Sequence, residues 1–143
     1  MISVLRETEV SGHIFWKGRI QKGTFKLDGD TPVFSRHTPN SPKLEGTLIP
    51  APFNAHVHTA DSFISEEPPS ELIASVGPGG FKHTALGKAT ESQIESGIRR
   101  AIEAMETTGT FGFCDFREGG ASGARIASGI GTHLVKNYIG APS

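Results

Sequence analysis

The sequence predicts an α/β protein that begins with a small β domain. Residues 2–34 hold short runs of β-branched and aromatic residues separated by turn residues. Further along the chain, an amphipathic stretch lies between two apolar, strand-like stretches, and such alternation is typical of βαβ units with a parallel sheet. We therefore expect part of a small β-sandwich domain over residues 1–46 and an α/β domain over residues 47–143.

The composition excludes several classes of protein. The chain has 143 residues, with 14 Lys and Arg against 15 Asp and Glu, and a net charge of −1. This balance argues against nucleic-acid and anionic-membrane partners. The single cysteine, Cys114, excludes an internal disulfide, and the sequence shows neither a signal peptide nor an apolar run long enough to span a membrane. We expect a soluble, cytoplasmic protein that acts on a small molecule.

Short strands are predicted near the N-terminus because β-forming residues alternate or cluster there. They cover Ile2–Val10, Gly12–Ile20 and Thr24–Leu27. The dipeptide Asp28-Gly29 is a turn signal, and a further strand follows it over residues 31–34. These strands make up the predicted β domain.

The most informative stretch is the apolar run over residues 48–58, which ends in two histidines one residue apart. Side chains two positions apart point to the same face of a strand, so Asn54, His56 and His58 should line one face. Two neutral imidazoles on one face can bind a single metal ion. The alternative is an accidental pair in a small β-rich binding module, which predicts no preference for transition metals.

The same stretch resembles the first barrel strand of the amidohydrolase superfamily, whose pattern is roughly P-G-F-[IV]-[DN]-x-H-x-H. Pro50, Asn54 and the two histidines stand at matching positions, whereas Ala51 and Pro52 replace the usual glycine and phenylalanine. The resemblance implies that residues 47–143 are the first three strands and two helices of a (β/α)8 TIM-type barrel. That barrel would be incomplete, because a closed one takes about 250 residues.

The resemblance also implies a deaminase-like, metal-dependent hydrolase that cleaves C–N bonds of amides, cyclic imides or aminated heterocycles with a metal-activated water. His56 and His58 would bind a divalent ion, zinc or iron, but a catalytic zinc normally has three protein ligands. We therefore expect a second polypeptide or a homo-oligomer to complete the site, and no catalytic residue is identified. The alternative is a non-catalytic fragment that is stable only by self-association or by pairing with a second chain.

Beyond the histidines, residues 62–88 are predicted to form a long irregular loop, because a proline pair and a Gly-Pro-Gly-Gly segment interrupt helices. Such a loop is either a lid over a substrate or a disordered surface segment. A helix is predicted over residues 91–107, since Thr90 and Gln93 have capping-box spacing and apolar residues recur at helical spacing. The remaining elements are a strand over residues 110–118, a weak helix that follows the segment 118–122 and continues through residue 130, and a strand over residues 134–139.

Four polar residues are candidates to contact a substrate or to position the metal ligands. Asp115 and Arg117 lie near the end of a predicted strand, where barrel enzymes place working residues. Asp61 follows the two histidines in a polar segment, and Asn54 precedes them on the same predicted face. A structural Asp–Arg pair is the alternative for Asp115 and Arg117.

Overall fold

The computed structural model describes residues 9–140, which divide into two compact units between Pro50 and Ala51. The first unit is a single four-stranded sheet. Its strands are β1 (Val10–Trp16), β2 (Arg19–Asp28), β3 (Thr31–Ser35) and β4 (Leu44–Leu48). The spatial order is β3-β2-β1-β4, and all neighbours are antiparallel except β1 and β4, which run parallel. The first unit is therefore a mixed sheet.

The turn between β1 and β2 corrects one predicted strand. The sequence predicts one strand over Gly12–Ile20, but the chain reverses at Lys17 (φ 48°) and Gly18 (φ 84°). Two successive positive φ angles are typical of the two-residue type I′ turn of a hairpin. The strand predicted over Ile2–Val10 lies, apart from its last two residues, outside the described residues.

The second unit contains a three-stranded parallel sheet and helices. In chain order its elements are β5 (Phe53–Val57), a 3-10 helix (Thr59–Phe63), α1 (Leu72–Val76), α2 (Phe81–Lys88), α3 (Glu91–Thr107), β6 (Gly112–Arg117), α4 (Gly120–Gly129) and β7 (Val135–Gly140). Strand β6 is central, between β5 and β7. The core of this unit consists of Ala60, Ile98, Ile102, Met105, Phe113, Ala127, Ile130 and Leu134.

The predicted start of a (β/α)8 TIM-type barrel is wrong. Within residues 9–140 the chain is a small α/β protein with one mixed sheet and one parallel sheet, and the parallel strands lie in the open order β5-β6-β7. The connection from β5 to β6 holds a 3-10 helix and three α-helices, whereas a barrel repeat joins successive strands by one helix. A local motif does not determine whether a sheet closes, because closure depends on strand number, tilt and stagger.

Helix α3 begins and ends where the sequence predicts. The hydroxyl of Thr90 accepts the backbone N–H of Gln93, and the Gln93 side chain accepts the backbone N–H of Thr90, which together form a capping box.

The irregular loop predicted over residues 62–88 is wrong, because α1 and α2 lie within it. None of the helices described in residues 9–140 combines the length and the apolar character that a bilayer span requires.

Gly97 allows α3 to pack closely against the 3-10 helix. A Cβ atom at this position would lie 2.6 Å from the carbonyl oxygen of Ala60 and 2.6 Å from the backbone nitrogen of Phe63. Backbone atoms cannot yield without displacing the 3-10 helix, so we expect Gly97→Ala to lower the free energy of unfolding by about 1–3 kcal/mol. This fall is the net effect that remains after a gain in helix propensity of about 1 kcal/mol.

The control for this prediction is Gly87→Ala in α2. A Cβ atom at Gly87 meets no atom within 4 Å, so this change should be neutral or stabilising. Urea unfolding of the two variants measures the difference. Equal stabilities would show that the close contact at Gly97 imposes no packing constraint.

Candidate functional site

The two histidines of the H-x-H motif come together at the carboxyl end of β5. His56 belongs to β5, and His58 follows the last residue of that strand. Their Nε2 atoms are 3.3 Å apart, and the two rings meet edge to face with centroids 5.2 Å apart. Two nitrogens bound tetrahedrally to one zinc ion, at about 2.0–2.1 Å each, lie about 3.3–3.4 Å apart. The pair thus presents two ligand atoms at the spacing that a single ion requires.

Neighbouring side chains hold His56 in place, but Asn54 does not share its face as the sequence predicts. Phe116 of β6 stacks on the His56 ring, with centroids 4.0 Å apart and planes at 15°. Asn54 Oδ1 accepts the backbone N–H of His56 at 3.3 Å, while its Nδ2 lies 4.0 Å from the sulfur of the buried Met105. The pairing of β5 with β6 is irregular between Asn54 and Val57, and this irregularity interrupts the alternation of side chains.

Charged side chains surround His58. The Oε1 atom of Glu118 lies 2.9 Å from Nδ1 of His58 and 2.6 Å from Nζ of Lys82, and Lys82 also lies 2.9 Å from Oδ2 of Asp61. Nδ1 of His58 lies close to Glu118, but the geometry of the contact is not that of a hydrogen bond. A carboxylate this close favours a proton on Nδ1, because an unprotonated nitrogen would direct its lone pair at the anion. The Nε2 atom of His58 then keeps its lone pair for a metal.

Lys82 and Glu118 keep their charges near neutral pH. Burial alone would lower the pKa of Lys82, but its hydrogen bonds and its attraction to Glu118 and Asp61 outweigh burial and raise that pKa above the usual value. Burial would raise the pKa of Glu118, but its hydrogen bond and attraction to Lys82, together with a backbone hydrogen bond, lower that pKa below the usual value. Both shifts favour the ionised pair. The pair joins α2 to the end of β6 beside His58.

Lys82 and Glu118 are not among the site residues that the sequence predicts. Lys82 lies far from both histidines in the sequence, and no local spacing relates it to them. Glu118 directly follows β6. Asp115 and Arg117 are candidates because they lie near the end of a strand, and the same criterion applies to Glu118. Asp61, which the sequence does identify, lies in this cluster through its contact with Lys82.

A second group of polar side chains close to His58 is buried. Thr59 and Asp115 are 0% exposed and Arg117 is 2% exposed. The two oxygens of Asp115 accept the backbone N–H of Thr59 at 3.0 Å and its hydroxyl at 2.6 Å. Arg117 Nη1 donates to Asp115 at 3.4 Å, and its Nη2 donates to Oε2 of Glu118 at 2.9 Å. Asp115 and Arg117 thus approach His58 only through Thr59 and Glu118, and neither is exposed enough to bind a substrate directly.

Tyr138, the one tyrosine of the chain, lies in the electric field of the buried Asp115–Arg117 pair. Its hydroxyl donates to the carbonyl oxygen of Ala127 at 2.8 Å. Burial, followed by the negative charge of Asp115, raises the pKa of Tyr138 to about 12, although Arg117 acts in the opposite direction. Because the folded chain favours the neutral phenol, this contribution to stability is complete below the usual pKa of about 10. It is lost as the pH rises through about 12.

An ultraviolet titration should show this shift directly, since phenolate absorbs where phenol does not. We expect the folded chain to form phenolate near pH 12 and the urea-unfolded chain to do so near pH ~10. Circular dichroism at each pH checks that the chain is still folded. A midpoint near the ordinary value in the folded chain would contradict the prediction.

The described residues do not form a complete metal site. Within residues 9–140, no group of three or more His, Cys, Asp or Glu side chains is arranged to hold a metal ion. The cluster around His58 contains two carboxylates, Asp61 and Glu118, and both form ion pairs with Lys82. A four-coordinate ion on His56 and His58 would therefore need ligands from elsewhere.

The chain is similar to curated proteins from archaea. It is 38% identical over 88 residues to an Archaeoglobus fulgidus protein named "Putative aminohydrolase", and the alignment covers 62% of this chain and 27% of the relative. A Methanothermobacter thermautotrophicus protein of the same name is 28% identical over 100 residues, which cover 66% of this chain and 26% of the relative. An uncharacterized Methanocaldococcus jannaschii protein is 33% identical over 88 residues, which cover 59% and 23%.

The aligned part of the chain spans about a quarter of the length of each of these relatives. No protein-family model matches the sequence. Two of the relatives carry the name of a hydrolase. The similarity therefore suggests a hydrolase and leaves the metal dependence and the substrate to be argued from the site.

Proposed function

We propose that the chain carries part of the metal site of a hydrolase that cleaves C–N bonds, of the kind found in the amidohydrolase superfamily. The observation that carries the proposal is the 3.3 Å separation between Nε2 of His56 and Nε2 of His58. The names of two relatives support hydrolysis at nitrogen, because an aminohydrolase uses water to release an amino group.

The two histidines fit a divalent ion, zinc or iron. Glu118 beside Nδ1 of His58 favours the tautomer whose Nε2 binds a metal, and carboxylates commonly stand behind ligating histidines. When bound, the ion would supply an activated water and polarise the carbon of the bond to be cleaved. Phe116 stacks on His56 and restricts rotation of that ring. The remaining ligands would come from a second polypeptide or from another copy of the chain, because a catalytic zinc usually has three protein ligands.

The proposed substrate is a small molecule with an amide, a cyclic imide or an aminated heterocycle. An open cleft of about 240 Å³ lies beside Lys82 and is also lined by Asp61, Val76 and Phe81. Apolar walls with a few polar groups suit a small organic molecule. In this cleft Lys82 would donate to an acceptor atom of the substrate, and its contact with Glu118 places it next to the histidine pair.

Native mass spectrometry of the purified chain with one equivalent of Zn²⁺ tests the proposal. We expect one zinc ion per chain, or one per two chains if two histidine pairs share the ion, and loss of the ion when a chelator is added. Mg²⁺ is the control, since it prefers oxygen ligands and should leave the chain metal-free. A chain that takes up no zinc would contradict the proposed function.

A non-catalytic chain that is stable only through self-association is the second candidate, and exposed apolar side chains favour it. Strands β5 and β7 are the two edges of the parallel sheet. Phe53 on β5 is 38% exposed, and Val135 and Ile139 on β7 are 48% and 50% exposed. Open edges with apolar side chains are commonly covered by a partner. This candidate predicts a metal-free oligomer in the same mass spectrum.

A further inference from the structure

His58 belongs to a closed ring of contacts with four other residues. Thr59, its neighbour in the chain, donates its backbone N–H and its hydroxyl to the two oxygens of Asp115. Arg117 donates to Asp115 through Nη1 and to Glu118 through Nη2. The other carboxylate oxygen of Glu118 lies 2.9 Å from Nδ1 of His58 and closes the ring. The backbone and the side chain of His58 are therefore both held by one network.

We propose that Thr59, Asp115 and Arg117 are positioning residues that fix the ring orientation and the tautomer of His58. This inference rests on the proposed function, which makes His58 a metal ligand. None of the three contacts Nε2 of His58 in the hydrogen-bond network. Thr59 and Asp115 are hydrogen-bonded at the backbone N–H that follows His58. Arg117 is linked to His58 through Glu118.

The burial of these residues suits this role. Thr59 and Asp115 are fully buried and Arg117 is 2% exposed, so solvent does not compete for their hydrogen bonds. His58 stands at the N-cap of the 3-10 helix but makes no capping hydrogen bond with its side chain. Capping therefore does not set the direction of its ring. The contacts that do are those of Nδ1 with Glu118, of Nε2 with His56, and of the following residue, Thr59, with Asp115.

A purely structural role for the same residues makes a different prediction. If the network only stabilised the fold, weakening it would lower the free energy of unfolding and leave the His58 ring unchanged in the chains that remain folded. A positioning role predicts that the tautomer of His58 and its affinity for a metal also change. The experiment must therefore separate these readouts from stability.

Thr59→Val is the central variant, because it removes the hydroxyl that Asp115 accepts while nearly preserving the shape of the side chain. Thr59→Ser restores a hydroxyl and should restore the wild-type behaviour. Thr24→Val is the matched control in the other unit, since the Thr24 hydroxyl is also buried and hydrogen-bonded, to Ser11 and to the carbonyl oxygen of His37. Glu118→Gln weakens the other half of the ring by removing the charge beside Nδ1 of His58.

Two measurements on each variant test the proposal. Nitrogen-15 NMR of the metal-free chain at pH 8, above the ordinary pKa of imidazole, reports the tautomer of His58, and a Co²⁺ titration reports the affinity of the pair. We expect the wild type, Thr59→Ser and Thr24→Val to show a single tautomer with the proton on Nδ1. We expect Thr59→Val and Glu118→Gln to show a mixture of tautomers and to bind Co²⁺ about tenfold to 100-fold more weakly.

Thr59→Val with the wild-type tautomer and unchanged Co²⁺ affinity would overturn the proposal, whatever its stability. If Thr59→Val does not fold, Glu118→Gln decides in its place, and a retained single tautomer there would equally overturn the proposal. A wild-type chain that binds no Co²⁺ would contradict the proposed function instead. In that case a changed tautomer in Thr59→Val would still support the positioning role.

Discussion

Asp115→Asn should lower the free energy of unfolding by about 3 kcal/mol, the low end of the range for breaking a buried ion pair. Asp115 is fully buried and faces three donors, two from Thr59 and one from Arg117. An Asn side chain carries no charge and turns an N–H₂ group toward at least one of these donors. The Arg117 guanidinium then stays buried with Glu118 as its remaining carboxylate partner, which limits the loss.

Asp30→Asn is the matched control, since Asp30 is exposed and its substitution should change stability by less than about 0.5 kcal/mol. Urea unfolding of both variants, followed by far-ultraviolet circular dichroism, measures the two losses. Because the Asp115 charge helps to raise the Tyr138 pKa, Asp115→Asn should also move the phenolate midpoint of the folded chain to lower pH. A loss no larger than that of Asp30→Asn would show that the buried carboxylate contributes little to stability.

The elements that the sequence predicts well are those encoded by local patterns. Helix α3 has a capping box at Thr90 and apolar residues at helical spacing, so both its start and its buried face can be read from neighbouring residues. Helices α1 and α2 lack such signals. Helix α1 has five residues, and α2 lies between a Gly-Pro-Gly-Gly segment and Ala89 without buried residues of its own. They form nonetheless through short-range contacts that hydrophobic periodicity does not show: Glu71 accepts the backbone N–H of Ala74 in α1, and Nδ1 of His83 in α2 lies 2.9 Å from the carbonyl oxygen of Gly77.

Sheet topology is what the sequence predicts least well. The sequence predicts the apolar stretches that form β5, β6 and β7, but their spacing contains no information on how many strands share a sheet. The barrel is predicted only by a resemblance around His56 and His58, which concerns one strand end. Closure is a property of the whole sheet, so a strong local motif could not establish it.

In the candidate site, too, the sequence predicts the local arrangement but not the contacts between distant segments. His56 and His58 are two positions apart at the end of a strand, and their Nε2 atoms lie 3.3 Å apart in the folded chain. Asn54 does not follow, since an irregular pairing of β5 with β6 interrupts the alternation on which that prediction depended. Lys82 reaches the site from α2, and only the folded chain places it against Glu118. Contacts between distant segments depend on the packing of α2, which no spacing encodes.

His58→Ala should weaken the binding of Zn²⁺ by about 100-fold to 1,000-fold. A four-ligand structural zinc site in a peptide has an apparent binding free energy of roughly 10–16 kcal/mol, or about 2.5–4 kcal/mol for each ligand. A loss of this size corresponds to about two to three decades in the dissociation constant. His56→Ala should cause a loss of similar size, because Nε2 of each ring lies 3.3 Å from the other and both would bind the same ion.

His133→Ala is the control, because it removes an exposed histidine that does not belong to the H-x-H pair. The His133 side chain is 79% exposed and lies 3.4 Å from Glu106, so it resembles a histidine that binds metal weakly at a protein surface. Competition with a chromophoric chelator measures the dissociation constants of the three variants. If His133→Ala weakened zinc binding as much as His58→Ala, the ion would be distributed over surface histidines and the spacing of the H-x-H pair would have no functional meaning. A loss confined to His56→Ala and His58→Ala would instead place a single ion between the two Nε2 atoms, which is the condition that the proposed hydrolase requires.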